Sequence, residues 1–142
     1  MNEYTIEEIE KGMKASFVRE ITKEMEDGFR MISGDENPLH RDDDFARGVS
    51  GGRYKSHVAF GMLTASLCST IAGMYLPGKY SLIHSFEELS FLKPVFVGDV
   101  LTVEAEVTDK EKALKLIRLK IVIKNQDNKT VSRARMKVLV MK

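Results

Sequence analysis

Nineteen residues in the middle of the chain, His57 to Tyr75 (HVAFGMLTASLCSTIAGMY), contain no Asp, Glu, Lys or Arg. The run reads as a helix that is apolar nearly all round, the mark of a buried helix rather than a surface one. It is bounded by Leu76, Pro77 and Gly78, a combination that ends helices. Such a helix needs cover on most of its sides. Ala65, Ser69 and Ala72 or Gly73 make one face small, so another backbone or a ligand chain could approach closely there.

The cover is readable further along. Ser81 to Leu92 reads as a strand leading into Lys93-Pro94, where Pro marks an edge or a bend. Leu101, Val103, Ala105 and Val107 alternate with Thr102, Glu104, Glu106 and Thr108, one face buried and one wet. Leu114 to Lys124 is a strand whose apolar phase shifts between Leu116 and Ile117, as a β-bulge would cause. Asn125 to Lys129 is a turn. In the last strand Ala134, Met136, Val138 and Val140 alternate with Arg133, Arg135, Lys137 and Leu139.

Upstream, Lys14 to Ile21 reads as a short strand. Thr22 is placed to cap a following helix, with Glu24, Glu26 and Asp27 favourably near its positive end. Met25, Phe29 and Ile32 fall at helical spacing and predict its buried face. Asp42, Asp43 and Asp44 read as a solvated acidic run starting another helix, and Gly48 to Lys55 as a glycine-rich connection. Helices segregated from antiparallel strands indicate an α+β chain, with a curved sheet wrapped around the long helix. At 142 residues this is read as one domain, 1–142.

Between the first helix and the acidic run lies SGDENPLH, residues 33–40. It sets a carboxylate, Asp35, and an imidazole, His40, five residues apart on a stiff turn. Two such groups can share one water, one taking a proton while the other gives one. Gly34 permits backbone angles that a Cβ resists, Asn37 can hydrogen-bond backbone within the turn, and Pro38 presets its own φ.

These residues carry a resemblance. Phe29, Ile32, Ser33, Gly34, Asp35, Asn37, Pro38, Leu39, His40 and Ala46 each sit where the signature of the (R)-specific enoyl-CoA hydratases asks for them. That group is the MaoC-like branch of the hot-dog superfamily, and residues 10 to 140 can be laid on its pattern. The resemblance implies the hot-dog arrangement, a sheet wrapped around a central helix. It implies reversible hydration of a trans-2-enoyl-CoA to the (R)-3-hydroxyacyl-CoA, with Asp35 and His40 as the catalytic pair. It further implies that the Gly61 N–H, at a helix start, polarises the thioester oxygen, and that Ser69 and Ala72 line the acyl tunnel. No metal or redox cofactor is implied, the substrate being carried as a CoA thioester. A homodimer or larger homo-oligomer is expected, with the site near the shared interface.

Two departures from the pattern bear on substrate choice. Phe60 stands where many relatives carry His or Gln, and the Ala46–Gly61 connection, with Gly51 and Gly52, is longer than in shorter relatives. The carrier is open between coenzyme A and acyl carrier protein, which would make the chain a 3-hydroxyacyl-ACP dehydratase. A hot-dog thioesterase would use an acidic residue on the long helix, and there is none. A non-catalytic acyl-thioester-binding module should have lost the Asp/His pair. Arg53, Lys55 and Lys79 are basic residues that could meet the phosphates of coenzyme A, while His57 and His84 read as structural.

Composition excludes other classes. With 22 basic against 21 acidic residues there is no nucleic-acid surface to expect. No apolar run reaches a bilayer span, and the opening MNEYTIEEIEKGMK lacks a secretion signal's apolar core. A single cysteine, Cys68, allows no internal disulfide and fits a reducing cytoplasm. The three histidines and the cysteine lack metal-ligand spacing.

Overall fold

The computed structural model describes residues 1–142. Five strands form one antiparallel sheet: β1 (Lys14–Glu20), β2 (Ser81–Phe91), β3 (Val100–Glu111), β4 (Leu116–Lys124) and β5 (Thr130–Val140). Their spatial order is β1-β3-β4-β5-β2. Three helices precede β2: α1 (Lys23–Ser33), α2 (Asp43–Val49) and α3 (Gly61–Met74). The inward residues of β3, β4 and β5 are those of the alternating pattern. Leu101, Val103 and Val107, then Ile117, Leu119, Ile121, then Met136, Val138 and Val140 are all fully buried. They close on α3, which packs on β1, β2, β3 and β5, and contributes Leu67, Cys68, Ile71 and Ala72 to the same core. The expected wrapping of a curved sheet around an apolar helix is therefore what forms.

Several local expectations are met for local reasons. Thr22 caps α1, its side chain accepting from the Met25 N–H. Asp42 caps α2 by accepting from Phe45 N–H. Gly34 ends α1 in the left-handed region, at φ 70°, where a Cβ is disfavoured.

Three expectations are corrected. The long helix starts at Gly61, not at His57, because the preceding amides are taken by other parts of the chain. Val58 N–H donates to Leu39 O and Ala59 N–H to Val95 O, which holds these residues extended. On α1, Ile32 of the expected buried face is 82% exposed, and Met25 and Phe29 are only half-buried. The residue buried on that helix is Glu26, one of the acids near its positive end. The bulge expected in β4 lies instead in its neighbour, where the register slips between Val107 and Asp109 of β3. Leu116 is buried on the sheet's outer face, in register with Leu139, which itself pairs with Leu82. A cross-strand apolar row explains the phase shift without any insertion in β4. The amino-terminal segment also joins the fold: Ile6 and Ile9 enter the main core, and Asn2 bonds the end of α3 through Met74 O and Tyr75 O.

Candidate active site

The turn that follows α1 is built from its own side chains. Asn37 N–H donates to Asp35 Oδ1 at 2.9 Å, and Leu39 N–H donates to Asn37 Oδ1 at 3.0 Å. These two Asx-type bonds, with Pro38 opening a 3-10 turn over Pro38–His40, hold the segment rigid. Asp35 and Asn37 are exposed, while His40 is half-buried.

His40 Nδ1 lies 2.8 Å from Val58 O. A carbonyl oxygen only accepts, so Nδ1 carries the proton and the neutral ring presents its lone pair at Nε2. Nε2 has no partner within the chain. The imidazole is braced by the Phe60 ring, with centroids 4.3 Å apart, and Phe29 packs against Phe60 at 5.0 Å with the rings tilted by 46°. Arg30 reaches from α1 to donate to the His40 carbonyl at 3.3 Å.

His40 and Gly61 share the wall of a cavity of about 270 Å³. Leu39, Val58, Phe91, Val95 and Thr64 make much of the remaining lining, a mostly apolar surface with few polar groups. The Gly61 N–H, at the first position of α3, makes no hydrogen bond within the chain, since the first turn is closed by Leu63 and Thr64 N–H on Phe60 O. A free N–H at a helix start, with the dipole behind it, is an electrophilic contact for a polarised carbonyl oxygen. A larger open groove of about 620 Å³ lies on the outer sheet face among Lys14, Ser16, Glu104, Glu106 and Lys120. It carries opposing charges and neither a helix start nor an imidazole, so the chemistry is concentrated in the smaller cavity.

The remaining expected site residues are placed as follows. Asp35 sits on the His40 turn but is not part of the cavity wall. Ser69 is exposed on α3, and Ala72 is sealed in the core; neither lines this cavity. Arg53 donates from Nε to Ser50 O, and the Lys55 carbonyl accepts from Arg47. Lys79 pairs with Glu3 beyond the far end of α3, which puts roughly 20 Å of helix between it and Gly61. His84 bonds only its neighbour Ser85, and His57 is tied to Asp43, which accepts from both its N–H and its Nδ1. These bonds hold Asp43 below the usual carboxylate range.

Sequence reasoning missed Glu26. It is 1% exposed, and its two oxygens lie 3.1 and 3.4 Å from the Phe60 N, capping α3 from another helix. Burial pushes its carboxyl up, opposed by the Phe60 N–H and by the nearby His40, His57 and Arg30. The only available signal was an acid at the i−3 and i−4 spacing from Phe29 and Arg30, which is too common to mark a site.

Comparison with known proteins bears on this geometry. Residues 5–129 match the family described as the MaoC like domain. The (R)-specific enoyl-CoA hydratase of Aeromonas caviae is 42% identical over 100 residues, covering 70% of this chain and 72% of that protein. A 3-hydroxybutyryl-CoA dehydratase of Methylorubrum extorquens is 34% identical over 103 residues, covering 72% of this chain and 63% of that one. An unliganded R-hydratase from Pseudomonas aeruginosa superposes with a TM-score of 0.86 at 31% identity, covering 96% of this chain and 84% of that one. The shared architecture is the hot-dog fold.

Proposed function

The chain belongs to the MaoC-like family, and from that premise we propose that it hydrates trans-2-enoyl-CoA reversibly to (R)-3-hydroxyacyl-CoA. The observation that carries this reading is the pairing of an imidazole whose Nε2 is free with an unpartnered helix-start N–H in one largely apolar cavity. No Asp or Glu lies on α3, which counts against thioester hydrolysis by a carboxylate there.

In the proposed step, Asp35 and His40 hold one water. Neutral His40 takes a proton from that water at Nε2 while the hydroxide oxygen bonds to C3. The C2=C3 electron pair moves toward the thioester, whose oxygen gains charge and accepts from the Gly61 N–H. The imidazolium then returns the proton to C2, leaving the ring neutral. One water has been added across the double bond on one face, and no metal or redox cofactor takes part. Asp35 orients the water through the oxygen left free by its bond to Asn37 N–H. Dehydration is the same path reversed, so the direction in the cell follows from substrate supply.

The apolar surface near the cavity is uncovered. Met62 on α3 is 57% exposed, and Phe86 and Phe91 stand exposed on β2, which is an unpaired sheet edge. We assign this surface to a second copy of the chain. The exposed Ser69 would then complete an acyl tunnel between protomers. Coenzyme A is the proposed carrier, and the cytoplasm, where a lone thiol stays reduced, the proposed setting.

The test is a spectrophotometric assay of crotonyl-CoA, following loss of the conjugated enoyl thioester and identifying the product with a stereospecific dehydrogenase. Asp35→Asn, which keeps the oxygen accepting from Asn37, and His40→Ala should each lower kcat by at least about 100-fold. Thiol release without hydration, or full activity in either variant, refutes the reading. Light scattering that returns a monomer at assay concentration refutes the shared tunnel.

A further inference from the structure

Glu26 is a charged side chain sealed inside the protein, and the reaction described above does not use it. Burying a carboxylate is costly unless it is well paired. Its partner here is one backbone N–H, that of Phe60, 34 residues away in sequence. Helices are ordinarily capped by a Ser, Thr, Asp or Asn at the cap position itself. At α3 the cap position is Phe60, whose side chain supplies no cap bond.

What Phe60 touches explains the arrangement. Its ring braces His40 at 4.3 Å, and its backbone leads directly into Gly61. Phe60 therefore joins both chemical elements of the cavity. On α1, Glu26, Phe29 and Arg30 share one helical face, and all three hold this junction. Glu26 takes the Phe60 N–H, Phe29 backs the Phe60 ring, and Arg30 donates to the His40 carbonyl.

We propose that Glu26 is a positioning residue: by clamping the Phe60 amide it sets the separation of the His40 ring and the Gly61 N–H. The proposal rests on the hydratase reading for its kinetic consequence, though the clamp itself does not. A positional error of about 1 Å at a reacting group costs on the order of 100-fold in rate. The clamp positions the reacting groups and Glu26 is not part of the cavity wall, so its loss falls on kcat more than on KM.

Three variants test this in the full chain. Glu26→Gln keeps an acceptor oxygen at the same reach, Glu26→Asp withdraws it by one methylene, and Glu26→Ala removes it. With crotonyl-CoA, Glu26→Gln should keep kcat within about 3-fold of wild type. Glu26→Asp and Glu26→Ala should lose at least about 10-fold in kcat with KM changed less than about 2-fold. If Glu26→Ala fails to fold, the Gln and Asp pair decides. A normal kcat in Glu26→Asp with only a lower unfolding midpoint overturns the proposal, as does a Gln variant as impaired as the Asp one. The same proteins are compared by ¹⁵N NMR of the His40 imidazole and by hydrogen exchange of the Phe60 amide. If wild type does not hydrate crotonyl-CoA, the hydratase reading fails separately. The clamp then stands if His40 and Phe60 signals shift in the Asp variant but not the Gln variant, and falls if neither shifts.

Discussion

Replacing Gly61 by Ala separates chemistry from folding at a single methyl group. Gly61 opens α3 with an ordinary helical backbone, so no left-handed strain opposes a side chain there. Within a helix, Ala is favoured over Gly by up to about 1 kcal/mol. Against that gain, the new Cβ would lie 3.2 Å from two carbons of the Phe91 ring. Phe91 is half-exposed, so its ring can retreat the few tenths of an ångström required. The two effects nearly cancel, and stability should remain within about 1 kcal/mol of wild type, a shift of no more than about 4 °C in Tm. The methyl group, however, enters the cavity beside the N–H proposed to bind the thioester oxygen. Losing one such donor typically costs about 100- to 1,000-fold. Partial displacement of the substrate should therefore lower kcat/KM for crotonyl-CoA by about 100-fold, equivalent to about 2.7 kcal/mol. Paired thermal melts and steady-state kinetics measure both quantities. Activity within about 3-fold of wild type, with an unchanged Tm, would remove Gly61 from the reacting carbonyl. A Tm lowered by more than about 10 °C would mean that the glycine serves the fold.

Other perturbations have equally definite outcomes. Gly78 has φ +93°, and a Cβ there would fall 2.1 Å from the Asn2 carbonyl oxygen, so Gly78→Ala should destabilise by about 3 kcal/mol or more, seen as a lower urea midpoint. Burial raises the folded-state pKa of Glu26 above its ordinary 4.5, despite the opposing Phe60 N–H and the nearby His40, His57 and Arg30. The folded state thus holds the proton more tightly than the unfolded chain, and this contribution to stability is full below pH 4.5 and lost as pH rises through the folded value. Glu26→Gln should accordingly gain stability relative to wild type at pH 7 and lose that advantage near pH 4, read from urea midpoints at both pH values. Cys68 is fully buried and its thiol is pushed up to about 11. Iodoacetamide at neutral pH should leave it unmodified in the native protein and alkylate it in denaturant, as mass spectrometry would record.

How much of this was legible in the residues differs by element. The alternation of Leu101 to Thr108 and of Arg133 to Val140 marked the strands because a half-buried sheet imposes period two. Thr22 and the acidic run from Asp42 marked helix starts because Thr22 and Asp42 side chains accept from amides three residues on. The Gly34–His40 turn was readable for the same reason: Asp35 and Asn37 bond amides two residues on. The start of α3 was misread at His57, since composition alone does not register that Val58 and Ala59 are bonded to Leu39 and Val95. Ile32 matched a buried helical face by spacing yet is exposed, while Glu26, on a neighbouring position, is the residue enclosed.

The sequence by itself determined the α+β class, the apolar central helix and the stiff turn carrying Asp35 and His40. Each of these follows from interactions within one turn or along one strand, which spacing records directly. Tertiary structure alone decided that Val58 fixes the His40 tautomer, that Gly61 opens α3 with its N–H free, and that Glu26 holds the Phe60 amide from across the site. Those contacts span 18 to 34 residues of chain. They arise only when the sheet closes on α3, because a buried N–H or carboxylate must then find a partner wherever packing has brought one.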